Sequence, residues 1–196
     1  MVAGAGAGAW ALMRGGGPQE DQPPVPDLVW SVGRVRSVPV DTDAPQDDLE
    51  AARDAVTDLL DRLYTTGFVD PAEWDEGRFP GLGSYFAGPA TARAERDREE
   101  LTLGGDAAEI ERVVPTRTGL RLSFLVDPQA QPYAAVATTA FRADGRTTDG
   151  GALAIVHRGR YMVRQVEGAW LIVGYDVEGS VESVADPAPG TPGATP

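Results

Sequence analysis

The chain has 196 residues and a mass of 20.6 kDa, with 17 basic and 30 acidic side chains and a formal net charge of −13. That length can enclose a real core, and 42% hydrophobic with 24% charged residues excludes a wholly disordered or fibrous chain. The negative charge argues against nucleic acid as a partner, and the lack of cysteine excludes disulfides, thiolate nucleophiles and cysteine-ligated metal centres. Every basic residue is arginine and there is no asparagine. Schiff-base lysine chemistry, a P-loop and N-glycosylation are therefore excluded, and the missing AT-rich codons point to a high-GC bacterial genome.

Residues 2–13 carry no charge, and Arg14 with three glycines follows them. A helix of that length spans about 18 Å against a hydrocarbon core of about 30 Å. Gly4 and Gly8 have small-xxx-small spacing and Trp10 suits a membrane interface, so residues 1–14 are expected to be the outer part of a membrane anchor whose beginning is missing. The alternative is a flexible Ala/Gly tail. Gly4, Gly6 and Ala9 also fit a dinucleotide fingerprint, but no strand can precede them, so the match is discarded. Residues 15–27 form a Pro/Gly linker, and residues 28–185 a single domain.

Within that domain, Leu28 to Val40 alternates as an extended segment. A helix is expected from Asp43, where Asp43 and Gln46 have capping-box spacing; Leu49, Ala52, Val56, Leu59, Leu60 and Leu63 form its apolar stripe, and Gly67 ends it. Asp70-Pro71 starts a shorter helical piece. Trp74, Phe79, Tyr85 and Phe86 are expected to plug one end of the core, and a third helix runs from Pro89 to Leu101. After residue 106 the period becomes two. Strands are expected over 109–115, 119–127, 132–142, 152–166 and 169–178, with turns at Asp127-Pro128, Asp144-Gly145, Asp149-Gly150 and Glu167-Gly168. Short connections make these strands antiparallel neighbours. Residues 186–196 read as a disordered tail.

Helices followed by antiparallel strands specify an α+β fold in which N-terminal helices pack on a curved antiparallel, cone-like sheet between flexible tails. The segment Gly159-Arg160-Tyr161-Met162-Val163-Arg164-Gln165-Val166-Glu167-Gly168-Ala169-Trp170-Leu171-Ile172-Val173 closes a long hairpin. With the preceding helices it resembles the nuclear transport factor 2-like (cystatin-like) cone superfamily over about residues 46–184. The anchor and linker further resemble membrane-anchored, extracytoplasmic members such as Mce-associated proteins and type IV secretion assembly subunits. That resemblance implies a non-enzymatic accessory or scaffold domain at the cell membrane, acting through a protein partner in the envelope, with homo-oligomers possible; the alternative address is the cytoplasm. The superfamily also contains ketosteroid isomerase and SnoaL-like cyclases, which work inside the cone.

His157 is the single histidine, so a two-histidine metal site is impossible. Odd parity along residues 152–166 places His157 and Tyr161 on the concave side, where with Tyr133 or Tyr64 they could copy the isomerase acid–base layout. The neighbouring inward positions are expected to be Leu120, Leu122, Phe124 and Val126, then Leu171, Val173, Tyr175 and Val177, an apolar set without an aspartate base. The reading favoured is a structural histidine. Residues 41–76 hold 12 acids against 2 basic residues, whereas residues 112–164 hold 8 arginines against 3 acids. Arg158, Arg160 and Arg164 are expected on the convex face, as solvated charges or as a docking site for an acidic partner or lipid head groups. Asp41, Asp43, Asp47 and Asp48 lack the glycine and glutamate of a calcium loop, so no metal or cofactor is expected.

Overall fold

A computed structural model describes residues 25–38 and 44–184. The expected anchor, most of the linker, the C-terminal tail, Val40, Asp41 and Asp43 lie outside the described residues. In chain order the elements are β1 (Ser31–Val32), β2 (Arg36–Val38), α1 (Gln46–Tyr64), α2 (Pro89–Arg96), α3 (Arg98–Leu101), β3 (Ile110–Val126), β4 (Pro132–Thr147), β5 (Ala152–Val166) and β6 (Ala169–Val184), with short helical turns between α1 and β3.

The strands β3 to β6 form an antiparallel meander of 15- to 17-residue strands, and β1 and β2 add to the outer edge of β3 in parallel. The sheet is therefore mixed, not purely antiparallel. A segment that reaches the sheet before α1 returns along β3 in the same direction. The expected Leu28–Val40 strand is broken at residues 33–35: Trp30 is buried, but Val32 and Val38 are exposed, so one parity does not hold across the break. Bulges in β3, between Ile110 and Arg112, Pro115 and Arg117, and Leu125 and Val126, bend the sheet.

The apolar stripe of α1 buries Ala52, Val56, Leu59, Leu60 and Leu63, and carries Tyr64 to the inner face of the sheet. Pro45 is the N-cap and no side chain caps the helix; Gln46 instead bonds Glu50. Gly67 does not end the helix. The chain runs on through a wide helical turn, Thr65–Val69, in which a Cβ on Gly67 would come to 3.0 Å from the Leu101 carbonyl. The glycine thus permits close approach of the α3 end, whose Leu103 N–H donates to the Gly67 carbonyl. Asp70 caps the Pro71–Glu73 turn as expected, and Trp74, Phe79 and Phe86 are buried while Tyr85 is half-buried. The third helix breaks at Asp97 into α2 and α3.

The two strands expected over 109–127 are one, β3, because its Pro115 sits at a bulge that the ladder spans. Asp144-Gly145 is not a turn. Both residues lie within β4, where Gly145 faces inward against Leu153 and Ile155, and the reversal comes at Thr147–Gly151. The turns at Asp127 and Glu167-Gly168 stand where expected; Asp127 accepts from the Gln129 and Gln131 amides, and Glu167 and Gly168 both have positive φ. A bulge opposite Met162 and Val163 shifts the parity of β6, so Ile172 and Tyr175 point inward while Leu171 and Val173 do not. Leu120, Leu122, Phe124 and Val126 are inward and buried as expected.

Candidate functional site

On the inner face, β5 presents Ile155, His157, Gly159, Tyr161 and Val163 in strict alternation, with an unbroken register against β4. Gly159 leaves the space that the Tyr161 ring fills: a Cβ there would meet the ring at 2.4 Å. His157, Tyr64 and Tyr161 are brought together as the sequence suggested, each at most 1% exposed. Tyr133 is not part of the group; it is 41% exposed at the start of β4, where the bulge opposite Leu125 and Val126 leaves it without a partner on β3. Thr139 takes its place, a residue the sequence reading missed because one threonine in an alanine- and threonine-rich strand carries no signal of its own.

The direction of every proton in this cluster follows from one acceptor. His157 Nε2 lies 3.1 Å from the Glu100 carbonyl oxygen, which can only accept, so Nε2 carries the hydrogen. Nδ1 is then an acceptor and takes the Tyr64 hydroxyl at 2.8 Å. With its proton committed, the Tyr64 oxygen accepts from Thr139 at 2.6 Å, whose hydroxyl also reaches the Gly159 carbonyl at 3.3 Å, and from Tyr161 at 3.4 Å. Burial pushes the His157 pKa down to about 4, a shift that the Glu100 bond partly opposes, and pushes that of Tyr64 up to about 12. Both groups are neutral at pH 7. Phe68 and Phe141 pack around them, with the Phe68 and His157 ring centroids 4.7 Å apart. The cluster is a satisfied polar knot inside an aromatic core, tying α1, α3, β4 and β5 together.

A second cluster clamps α2 to β6. The Arg93 guanidinium lies over the Tyr175 ring, 4.4 Å from its centroid, and donates to Asp97 at 2.8 Å and to the Tyr175 carbonyl at 3.1 Å. Tyr175 donates its hydroxyl to Asp97 at 3.0 Å. Arg93 holds the Asp97 carboxyl below its ordinary pKa, and burial raises that of Tyr175. These contacts fasten the helix to the sheet.

The outer face has a different character. Arg158, Arg160 and Arg164 are exposed there, on the parity expected. A cleft of about 780 Å³ crosses β3 to β6, walled by Arg117, Arg121, Arg158 and Arg160 and floored by Gly119 and Ala140. Arg158 pairs with Glu178 at 3.3 Å, whereas Arg117 and Arg142 stand directly opposite one another with no ion pair to either among the described residues. Like charges directly opposite on a sheet destabilise it. An adjoining hollow adds Arg34 and Arg36 beside Arg121. The sequence reading put weight on three arginines; the fold gathers eight on this face.

No family model matches the chain, and no curated protein does. Among solved structures, the chain is similar to a hexachlorocyclohexane dehydrochlorinase (LinA) type 2, at 16% identity and a TM-score of 0.47, over 76% of this chain and all of that one. Among the described residues, no helix is long and apolar enough to cross a membrane.

Proposed function

We propose that the chain is a non-enzymatic binding module of the nuclear transport factor 2-like cone type, held at or exported across a membrane, which docks an acidic protein surface on its outer sheet face. One observation carries this reading: on an otherwise strongly acidic molecule, a cleft bordered on one side by Asp176 and Glu178 gathers Arg117, Arg121, Arg158 and Arg160, of which only Arg158 has an ion-pair partner among the described residues. Their mutual repulsion is a standing cost that an anionic partner removes. Arg158, Arg160 and Arg164, at alternate and next-alternate positions of β5, supply a row about 20 Å long. The test is binding of a labelled poly-glutamate peptide to the full chain at low salt. Replacing Arg158, Arg160 and Arg164 by glutamate is expected to weaken binding at least about tenfold, since reversed charges across an interface cost several kcal/mol. His157→Ala should leave the affinity unchanged in a protein that still folds. Unchanged binding after the arginine reversal would overturn the reading.

The convergence of Tyr64, Tyr161 and His157 supports a second reading, acid–base catalysis of the ketosteroid isomerase or SnoaL kind. It requires α3 to withdraw, because the Glu100 carbonyl covers Nε2. Loss of a measured isomerase activity on His157→Gln, with folding intact, would rank it first.

A further inference from the structure

Beyond the docking of the outer face, we propose that the free edge of β6, over residues 176–184, accepts an added antiparallel strand from a partner protein, a segment that alternates basic with apolar side chains. β6 is the last strand of the sheet, and its ladder runs along β5 alone. The first half of its other edge is covered. Phe86 bridges Ile172, the Ala87 N–H donates to the Ile172 carbonyl, and Arg93 donates to the Tyr175 carbonyl. Because the Tyr175 carbonyl turns away from β5, every second residue after it does the same, so Val177, Gly179, Val181 and Ser183 direct their N–H and C=O groups outward. No protein group among the described residues pairs with them, and Gly179 and Ser183 are exposed. The open stretch is about 27 Å long at the usual rise of an antiparallel strand.

The opposite edge of the sheet is guarded and this one is not. On β3 the strap of β1 and β2 lies along residues 119–125, and Pro115, with bulges between Ile110 and Arg112 and between Pro115 and Arg117, interrupts the remainder. Covering segments, prolines and bulges are how sheets keep foreign strands away. Residues 176–184 carry neither proline nor bulge. The main-chain bonds of an added strand supply affinity, and its side chains supply specificity. Directly opposed residues of an antiparallel pair share a face, so the edge dictates the composition of its partner. On the outer face it presents Asp176, Glu178 and Glu182 and no basic residue; of these three, only Glu178 has an ion pair among the described residues, with Arg158. The acids stand between the β5 arginines and the incoming strand, which is therefore basic on that face. On the inner face Val177 and Val181 are half-buried against the core, with Gly179 between them beside the His157 ring, so the other face of the strand is apolar. A second copy's β6 would set acid against acid, which favours a different protein as the occupant.

The probe is a labelled, end-capped peptide of alternating arginine and valine, long enough to span residues 177–183, added to the full chain. Fluorescence anisotropy should show saturable binding. With arginines on the outer face, the valine amides point at β6 and the arginine amides point at solvent. N-methylation of the valines should therefore weaken binding at least about tenfold, whereas N-methylation of the arginines should leave it within about twofold. Val181→Pro removes one outward N–H and sets a ring on the edge, and should weaken binding at least about tenfold. Glu182→Arg changes only an exposed side chain that has no ion pair among the described residues, so the fold is retained, and should weaken binding about threefold or more. Failure of the peptide to bind, equal effects of the two methylation patterns, or full binding by Glu182→Arg or by a folded Val181→Pro chain would each overturn the proposal. So would a chain that self-associates in sedimentation equilibrium and becomes monomeric on Val181→Pro, since the edge would then belong to a second copy.

Discussion

Along β5 the chain alternates between two environments one residue apart. Ile155, His157, Tyr161 and Val163 are buried, while Arg158, Arg160, Met162 and Arg164 stand in solvent. The inner set holds the residue types that chemistry uses most often, a histidine and tyrosines, yet its polar atoms are engaged with one another and closed over by rings. The outer set holds ordinary surface charges, yet among the described residues Arg160 and Arg164 have no ion-pair partner and Arg158 has only an exposed one, Glu178. Buried polar atoms persist because they are paired, so a completed hydrogen-bond set speaks for architecture. Unpaired like charges gathered on one face speak for something still to arrive.

The comparison breaks first where the inner face is emptied. Leu60 is fully buried on the inner face of α1, and Leu60→Ala should cost about 2–5 kcal/mol in denaturant unfolding, the lost transfer energy together with the cavity left behind. A similar loss should follow acidification. His157 has a pKa near 4 in the folded chain against 6.5 unfolded, so between those values the unfolded chain binds the extra proton. Stability contributed by the neutral ring is complete above pH 6.5 and falls as pH drops towards 4, by roughly 3 kcal/mol. Carboxylates titrate in the lower part of this window, so the measurement is the difference in pH slope between wild type and His157→Gln. The variant should lack the histidine component; equal slopes would show that the ring is not held neutral.

Tyr64→Phe sharpens the same point with the ring packing retained. Its hydroxyl is the donor to His157 and the acceptor for Thr139. Losing it strands the His157 Nδ1 acceptor and the Tyr161 hydroxyl donor, while Thr139 keeps the Gly159 carbonyl, and should cost about 1–3 kcal/mol. Tyr161→Phe in the Tyr64→Phe background should recover part of that, since an apolar pair leaves fewer orphaned groups than a broken one.

Much of this contrast was legible before any coordinates. The two-residue period after position 106 placed His157 and Tyr161 inward and Arg158, Arg160 and Arg164 outward, because β5 runs without a bulge on its β4 side. The same logic failed on β6, where one bulged residue reversed the parity and put Ile172 inward in place of Leu171 and Val173. Gly67 and Gly145 resemble punctuation in sequence, but both serve close packing, a tertiary demand with no local signature. The extended character of residues 28–40 was legible, but the parallel pairing of β1 and β2 was not, because their partner lies nearly 90 residues away. It brings Arg34 and Arg36 to the arginine face, as the chain order alone could not indicate.

The smallest expected effect is also the most discriminating. Arg158 pairs with Glu178 at 3.3 Å, both side chains being well over half exposed. Such pairs contribute about 0–1 kcal/mol, and here the gain is offset by repulsion from the other arginines of the cleft. Arg158→Ala should therefore leave unfolding stability within about 0.5 kcal/mol of wild type, well below the loss from Tyr64→Phe in the neighbouring layer. In the same protein it should measurably weaken association through the outer face. If the substitution instead destabilised the fold as Tyr64→Phe does, the arginine would be part of the framework, and the division of labour between the two faces of β5 would be lost.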